Sequence, residues 1–216
     1  MDIFLAVISI LILVYSSVLH EVAHGYAAYR LGDPTAKILG RLTLNPVKHI
    51  DLYMSIILPI MMYISTGGRF IFGGAKPVPV DPFNLKDGHK DLALVSLVGP
   101  LTNLVLAIIG AGTIHLMFPS IPFNIVEVSG LLGFILTKLV VWNLLLAVFN
   151  LVPIPPLDGS KVFALILPPA MADTYMSMTS FGMIVLLFLL FFPIGGFSLM
   201  GTVSSIITAA LGILGF

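Results

Sequence analysis

The segment His20-Glu21-Val22-Ala23-His24 contains the residue types of a zinc hydrolysis site at the required spacing. Residues four apart lie on the same face of an α-helix, so His20 and His24 can present two imidazoles to one cation. Glu21 is offset by about 100° and can act as a general base on a water held by that cation. The pattern therefore predicts a metal centre with hydrolytic chemistry.

The composition disfavours a chance origin for this pattern. The chain has five histidines and only two glutamates, Glu21 and Glu127, so a random match has odds on the order of one in a thousand. A carboxylate near the centre of a bilayer also costs roughly 2.5 kcal/mol or more, unless a metal or a water-lined cavity offsets that cost. A functional role explains the segment better than a structural one.

A catalytic zinc takes three protein ligands and leaves the fourth position to water. Because the chain has no cysteine, the third ligand must be a histidine or a carboxylate. Asp158 is the main candidate, since three prolines within four residues precede it and prevent a regular helix. Such backbone is tolerated at membrane depth only inside protein or beside a water-filled cavity. The alternatives are a plain turn at Asp158 and isolated histidines: His49, His89 and His115.

The composition places these residues in a membrane protein. The 216 residues are 58% hydrophobic and 9% charged, whereas an ordinary soluble domain has roughly a quarter charged residues. The formal net charge is zero, which argues against a polyanionic partner such as nucleic acid. We expect one membrane-embedded domain over residues 1–216, in contact with the lipid bilayer.

Apolar stretches of about 20 residues predict the membrane spans. We expect an all-α polytopic membrane protein with five to six transmembrane helices or half-spans and a small extended segment on the cytoplasmic side. The predicted helices are 3–31, a re-entrant or tilted half-span at 52–66, full spans at 92–118 and 125–150, and a hairpin of spans near 177–192 and 197–216.

The basic residues predict the orientation of these spans. Eight of the ten fall between residues 30 and 90, so the loops 32–50 and 67–91 are both expected in the cytoplasm. The segment 52–66 then cannot cross fully, and the N-terminus lies outside. His20 lies about 26 Å along the first helix from Ile3, which places the metal inside the membrane towards the cytoplasmic face.

Three motifs together resemble the site-2 protease family of intramembrane zinc metalloproteases. They are HEVAH at 20–24, VGPLTN at 98–103 and FNLVPIPPLDG at 149–159. The resemblance implies one Zn²⁺ on His20, His24 and Asp158, with Glu21 as the base and Asn150 in a supporting role near the scissile peptide. It further implies cleavage of transmembrane protein substrates in a multi-pass protein of the cell membrane. The chain shows no PDZ or CBS module of the kind that gates substrates.

Other polar residues within the spans have weaker interpretations. Asn103 follows the Gly99-Pro100 break and is expected to satisfy freed backbone groups. Asn143 and Asn150 are seven residues apart and share a helix face, which is compatible with packing between helices. Lys138 lies in mid-span, where a lysine is a functional candidate by default.

The segment Lys76-Pro77-Val78-Pro79-Val80 predicts a strand, because residues before proline avoid the helical region. The two prolines remove the N–H donors from one edge, while Val78 and Val80 keep theirs on the other. That edge could hold an unwound substrate by strand addition. A rigid connector between two segments is the alternative interpretation.

Two further functions use the same residues. A metal transporter would need more acidic or histidine ligands along a path, and the sequence offers almost none. An inactive membrane scaffold would more easily have lost Glu21 or a metal ligand, and both are present. Within hydrolases, a site with a glutamate as third ligand could use only Glu127, which is expected in an external loop.

Overall fold

Three long helices pack against one another and form the frame of the protein, namely α1 (Ile3–Leu31), α4 (Gly88–Met117) and α6 (Leu131–Asn150). The computed structural model describes residues 3–65, 67, 73–119, 122–126 and 129–216. The helices are α1 (Ile3–Leu31), α2 (Thr35–Ile38), α3 (Leu58–Ser65), α4 (Gly88–Met117), α5 (Phe123–Val126), α6 (Leu131–Asn150), α7 (Asp158–Ala164), α8 (Pro169–Ser177), α9 (Thr179–Phe191) and α10 (Leu199–Ile213).

The described part of the chain contains fewer helices of spanning length than the sequence predicted. Among the described residues, three helices are long and apolar enough to cross a membrane, namely α1, α4 and α6. The pair α8 and α9, bent by 68° at a short break, adds a fourth if it acts as one span. The predicted spans near 177–192 and 197–216 are helices of 13 and 15 residues. The expectation of five to six spans is therefore not confirmed, because turn residues divide the apolar C-terminal stretch into short helices.

The predicted half-span at 52–66 corresponds to a π-helix at Leu52–Ile57 that continues into α3. The residues that flank this segment lie close together, because the N–H of Lys76 donates to the carbonyl oxygen of His49 at 2.8 Å. The chain therefore leaves and returns at the same point, at His49 and Lys76. This geometry agrees with a re-entrant segment.

The largest buried cluster joins α4 to α6. Ala107, Ala111 and Ile114 of α4 pack against Val140 and Leu144 of α6. The alanines allow the two backbones to approach closely, as small residues do between membrane helices. Large apolar side chains on the outer faces of the same helices are exposed, as expected of surfaces that face lipid.

The strand predicted over residues 76–80 does not form, and none of the described residues belongs to a regular strand. Instead, Arg41 donates through Nη2 to the carbonyl oxygen of Lys76 at 3.0 Å. A strand needs a paired neighbour, and Pro77 and Pro79 have no N–H to offer one. Hydrogen bonds with Arg41 of a neighbouring loop and with Glu21 of α1 therefore hold this segment.

Asp33 joins the loop after α1 to the loop before α4. Its buried carboxylate accepts from the N–H and hydroxyl of Thr35, from the N–H of Asp81 at 2.8 Å and from Nδ2 of Asn84 at 3.1 Å. Burial by itself raises the pKa of Asp33, but the hydrogen bonds from Thr35, Asp81 and Asn84 outweigh it and hold that pKa below its usual value. Asp33 is therefore ionised at neutral pH and keeps these two loops together.

Candidate metal centre

The histidine ligands of the candidate centre come from one face of α1. His20 and His24 lie one turn apart in a helix that continues without interruption from Ile3 to Leu31. Both side chains are buried. Their rings are nearly perpendicular, with centroids 4.5 Å apart. The helix thus holds two imidazoles in a fixed relation, as the spacing predicted.

Asp158 reaches the same place from the first turn of α7, which packs against α4. The turn of residues 151–157 folds back on Gly159, where a Cβ would lie 2.1 Å from the carbonyl oxygen of Leu151. Only glycine fits this approach, which accounts for the Asp-Gly pair in the sequence. Lys161 binds Oδ1 of Asp158 at 3.1 Å and leaves Oδ2 facing the histidines.

The three donor atoms converge on one point. Nε2 of His20 and Nε2 of His24 are 3.0 Å apart, and each lies 3.1 Å from Oδ2 of Asp158. A tetrahedral zinc with bonds of about 2.0 to 2.1 Å separates its ligand atoms by about 3.3 Å. The donor set and its spacing therefore fit zinc. Among the described residues, these three form the single group of potential metal ligands.

Hydrogen bonds on the far side of each ring keep Nε2 available. Nδ1 of His24 donates to the carbonyl oxygen of Val95 at 2.7 Å, and Nδ1 of His20 lies 2.5 Å from Oδ1 of Asn103. Since both partners are acceptors, each Nδ1 carries the proton and each Nε2 keeps its lone pair. Such partners orient metal-binding histidines.

Gly99 provides the space in front of the two rings. A Cβ at this position would lie 2.4 Å from Nε2 of His24 and 2.7 Å from Nε2 of His20. The sequence suggested that Gly99 and Pro100 interrupt the span, but α4 continues through both. The sequence did not indicate the steric role of Gly99, because the spacing of residues within one helix does not show which residues of another helix they contact.

We expect Gly99→Ala to weaken zinc binding at least about tenfold, because a methyl group would displace imidazoles that are anchored at Nδ1. Gly112→Ala is the matched control on the same helix, since a Cβ there meets no atom within 4 Å. Zinc affinity measured by competition with a chelator compares the two variants. A Gly99→Ala protein with wild-type affinity would contradict this steric role.

Glu21 points to the segment that precedes α4. Its Oε2 accepts the N–H of Val78 at 2.7 Å. Val78 itself is buried, and a Cβ added to Gly25 would meet its side chain at 2.7 Å. The N–H that the sequence assigned to a substrate is thus bound to Glu21 in this structure. The contact fixes one oxygen of the carboxylate beside the candidate ligands.

The other predicted supporting residues lie in different places. Asn103 is fully buried and contacts His20 directly. Asn150 donates to the carbonyl oxygen of Leu146 in its own helix at 2.9 Å. Val80 packs on the cluster that contains Ala28. Only Asn103 is thus brought into contact with a candidate ligand.

The remaining histidines bind elsewhere. His49 contacts the carbonyl oxygen of Thr43 at 2.9 Å, and His115 contacts that of Leu214 at 2.6 Å. His89 forms an exposed ion pair with Asp173. Two other residues weighed on sequence grounds are Lys138, whose Nζ lies 5.2 Å from the centroid of the Phe134 ring, and Glu127, which lies outside the described residues.

The sequence is similar to a peptidase family and to several bacterial and archaeal proteins. The profile of peptidase family M50 matches residues 7–130, which include His20, His24 and Asn103. The chain is 38% identical over 190 residues to the candidate zinc metalloprotease YwhC of Bacillus subtilis, a match that covers 88% of this chain and 83% of that protein.

Two further relatives carry similar names. The chain is 33% identical over 177 residues to the candidate zinc metalloprotease Rip2 of Mycolicibacterium smegmatis, covering 81% of this chain and 63% of Rip2. It is 34% identical over 110 residues to the candidate zinc metalloprotease MJ0611 of Methanocaldococcus jannaschii, covering 51% of each. No solved structure matches the chain.

Proposed function

The chain belongs to peptidase family M50, the site-2 protease family of zinc metalloproteases, and on this premise we propose that it hydrolyses peptide bonds within or beside the transmembrane segments of other membrane proteins. The observation that carries the proposal is the convergence of His20, His24 and Asp158 within the helical frame. Glu21 follows His20 in α1, and its carboxylate is bound to the N–H of Val78. The apolar helices make it a multi-pass membrane protein.

We assign zinc to His20, His24 and Asp158. Zinc held by these three residues would activate a bound water near neutral pH and polarise the scissile carbonyl. Glu21 accepts the proton of that water and later passes it to the leaving amine. The N–H of Val78 supports this role, because it holds one carboxylate oxygen of Glu21 in place.

A transmembrane substrate must change conformation before it can react. The carbonyls of a helix are bound within the helix, so the scissile peptide must unwind locally to reach the zinc site. Substrates with helix-breaking residues near the cleavage point should therefore be cut faster. Asn150 near the prolines of residues 153–156 remains our candidate for contact with the unwound peptide.

We also propose that the site opens towards the cytoplasm. Asp33 joins the loop after α1 to residues 81–84, and Arg41 binds the backbone at Lys76. These contacts support a topology in which both loops lie on one side of the membrane. Their lysines and arginines favour the cytoplasmic side.

Single cysteines introduced into this cysteine-free chain test the topology. We expect an impermeant thiol reagent to label positions 37 and 86 from the same, cytoplasmic side. A cysteine at position 3, at the start of α1, should react from the opposite side. Labelling of positions 37 and 86 from opposite sides would contradict the proposed topology.

Cleavage by the purified protein tests the proposed activity. Candidate single-span membrane proteins are incubated with the enzyme in lipid, with and without a zinc chelator. We expect cleavage that the chelator stops and that added zinc restores. Cleavage that persists after complete removal of zinc would contradict the proposed mechanism.

A metal transporter is less well supported, because the described residues hold one group of three ligands instead of a series along a path.

A further inference from the structure

A second polar cluster lies behind the candidate metal centre, within the apolar frame. It consists of Ser16 on α1, Asn103 on α4 and Asn143 on α6, and both asparagine side chains are fully buried. Burying an amide in an apolar environment is costly unless its donors and acceptors are bound. The contacts of this cluster therefore indicate which way each amide must face.

The orientation of Asn143 follows from its neighbours. Its Nδ2 lies 2.8 Å from the carbonyl oxygen of Leu139 and 2.9 Å from the hydroxyl of Ser16. A backbone carbonyl can only accept, so the atom facing Leu139 must be the amide nitrogen. This leaves Oδ1 of Asn143 as the atom that faces Asn103.

The orientation of Asn103 follows in turn. Its Nδ2 donates to Oδ1 of Asn143 at 2.7 Å and lies 3.4 Å from the carbonyl oxygen of Ser16. Both hydrogens of this amide are thus directed away from the metal centre. Oδ1 of Asn103 is left to accept from Nδ1 of His20.

Nδ1 of His24 therefore bonds to a backbone carbonyl, whereas Nδ1 of His20 bonds to a side-chain amide. The carbonyl oxygen of Val95 can only accept, so it fixes the proton on Nδ1 of His24 without further help. The amide of Asn103 could flip, in which case its NH₂ would face Nδ1 of His20. Asn143 opposes this flip through the shorter of two contacts, because a flipped Asn103 would set its oxygen against Oδ1 of Asn143 at 2.7 Å and against the more distant carbonyl oxygen of Ser16 at 3.4 Å.

We propose that Asn143 is a positioning residue, which orients the amide of Asn103 and thereby keeps Nε2 of His20 available to zinc. The hydrogen bonds of Asn143 go to Asn103, Ser16 and Leu139, none of which is a candidate ligand. This inference rests on the zinc site of the proposed function. Partners of metal-binding histidines typically contribute 10- to 100-fold to metal affinity, and an indirect partner should fall near the lower end.

We expect Asn143→Leu to weaken zinc binding about tenfold, as measured on the full-length protein by competition with a chelator. Thr137→Val is the matched control, because it removes another buried polar group from α6 whose hydroxyl has no hydrogen-bond partner. Its zinc affinity should equal that of the wild type. Asn143→Ala removes the same amide without added bulk and serves as a second variant.

Nuclear magnetic resonance of the zinc-loaded protein separates positioning from a general loss of packing. With nitrogen-labelled histidine, the Nδ1–H resonance of His20 should move in Asn143→Leu, because its acceptor is no longer fixed. The resonance of His24 should stay in place, because its acceptor is the backbone of Val95. Equal movement of both resonances, or wild-type zinc affinity in both Asn143 variants, would overturn the inference.

Failure of the underlying site gives a different result. If Asp158→Ala binds zinc as tightly as the wild type does, the assigned zinc site is wrong, and the inference about Asn143 is overturned with it. If Asp158→Ala loses zinc while the Asn143 variants retain it fully, the site stands and only the positioning role is overturned.

Discussion

Glu21→Gln should abolish peptide cleavage while zinc content stays at the wild-type level. The amide has nearly the shape of the carboxylate and keeps an oxygen that can accept the N–H of Val78, so the local structure is retained. It cannot take a proton from water. General acid–base catalysis contributes about 10²- to 10⁴-fold, and we expect a fall in kcat of about that size.

The control for Glu21→Gln uses the other glutamate in the chain. Glu127→Gln makes the same chemical change at the second glutamate of the sequence and should leave turnover unchanged. Cleavage rate and zinc content are measured on the same preparation of each protein. Substantial activity in Glu21→Gln would show that another group is the base.

Asp158→Ala should remove zinc from the protein. It takes away one of three donor atoms, and Oδ2 is the atom that lies 3.1 Å from both imidazole nitrogens. Loss of a residue that only supports a ligand costs about 10- to 100-fold in metal affinity, so loss of a ligand should cost more than about 100-fold. Metal analysis after dialysis and competition with a chelator both measure the effect.

His115→Ala is the matched control for Asp158→Ala. This imidazole binds the carbonyl oxygen of Leu214 and stacks on Phe216, away from the candidate centre. Its removal should leave zinc affinity unchanged. The reverse pattern, with zinc lost in His115→Ala and kept in Asp158→Ala, would mean that the third ligand has been misidentified.

The parts of the site that follow from short-range spacing could be predicted from the sequence. His20 and His24 are four positions apart, and helical geometry alone places them on one face. Asp158 could be proposed because prolines before it break the helix in an otherwise apolar chain. The structure brings these three residues together, and the family comparison supports the metal.

The parts that depend on contacts between distant segments could not be predicted. Three such contacts lie between different helices. The carbonyl oxygen of Val95 binds His24, the absence of a side chain at Gly99 leaves room for the histidine rings, and the amides of Asn103 and Asn143 bind each other. Asn143 looked like a packing residue, because nothing in the spacing along α6 connects it to α4. Only the packing of three helices shows which polar groups face one another.

The C-terminal region shows a different limit of the sequence. Apolar composition predicted two spans there, but composition does not fix where a helix ends. Helix α9 begins after a break at Met178. It is followed by a turn in which Gly195 and Gly196 have positive φ. The resulting helices are shorter than a typical span. The extended segment is not confirmed as a strand for a related reason, since proline spacing can favour extended backbone without supplying a partner strand.

We infer that zinc and Glu21 together deliver water to a peptide bond at a transmembrane segment. The most direct test uses the purified enzyme in lipid, a single-span membrane protein as substrate and isotopically labelled water, with the products identified by mass spectrometry. We predict one cut within or at the edge of the apolar span, with one labelled oxygen in the new carboxylate, and no cut by Glu21→Gln. Equal cleavage by Glu21→Gln, or cleavage confined to parts of the substrate far from the membrane, would contradict the account.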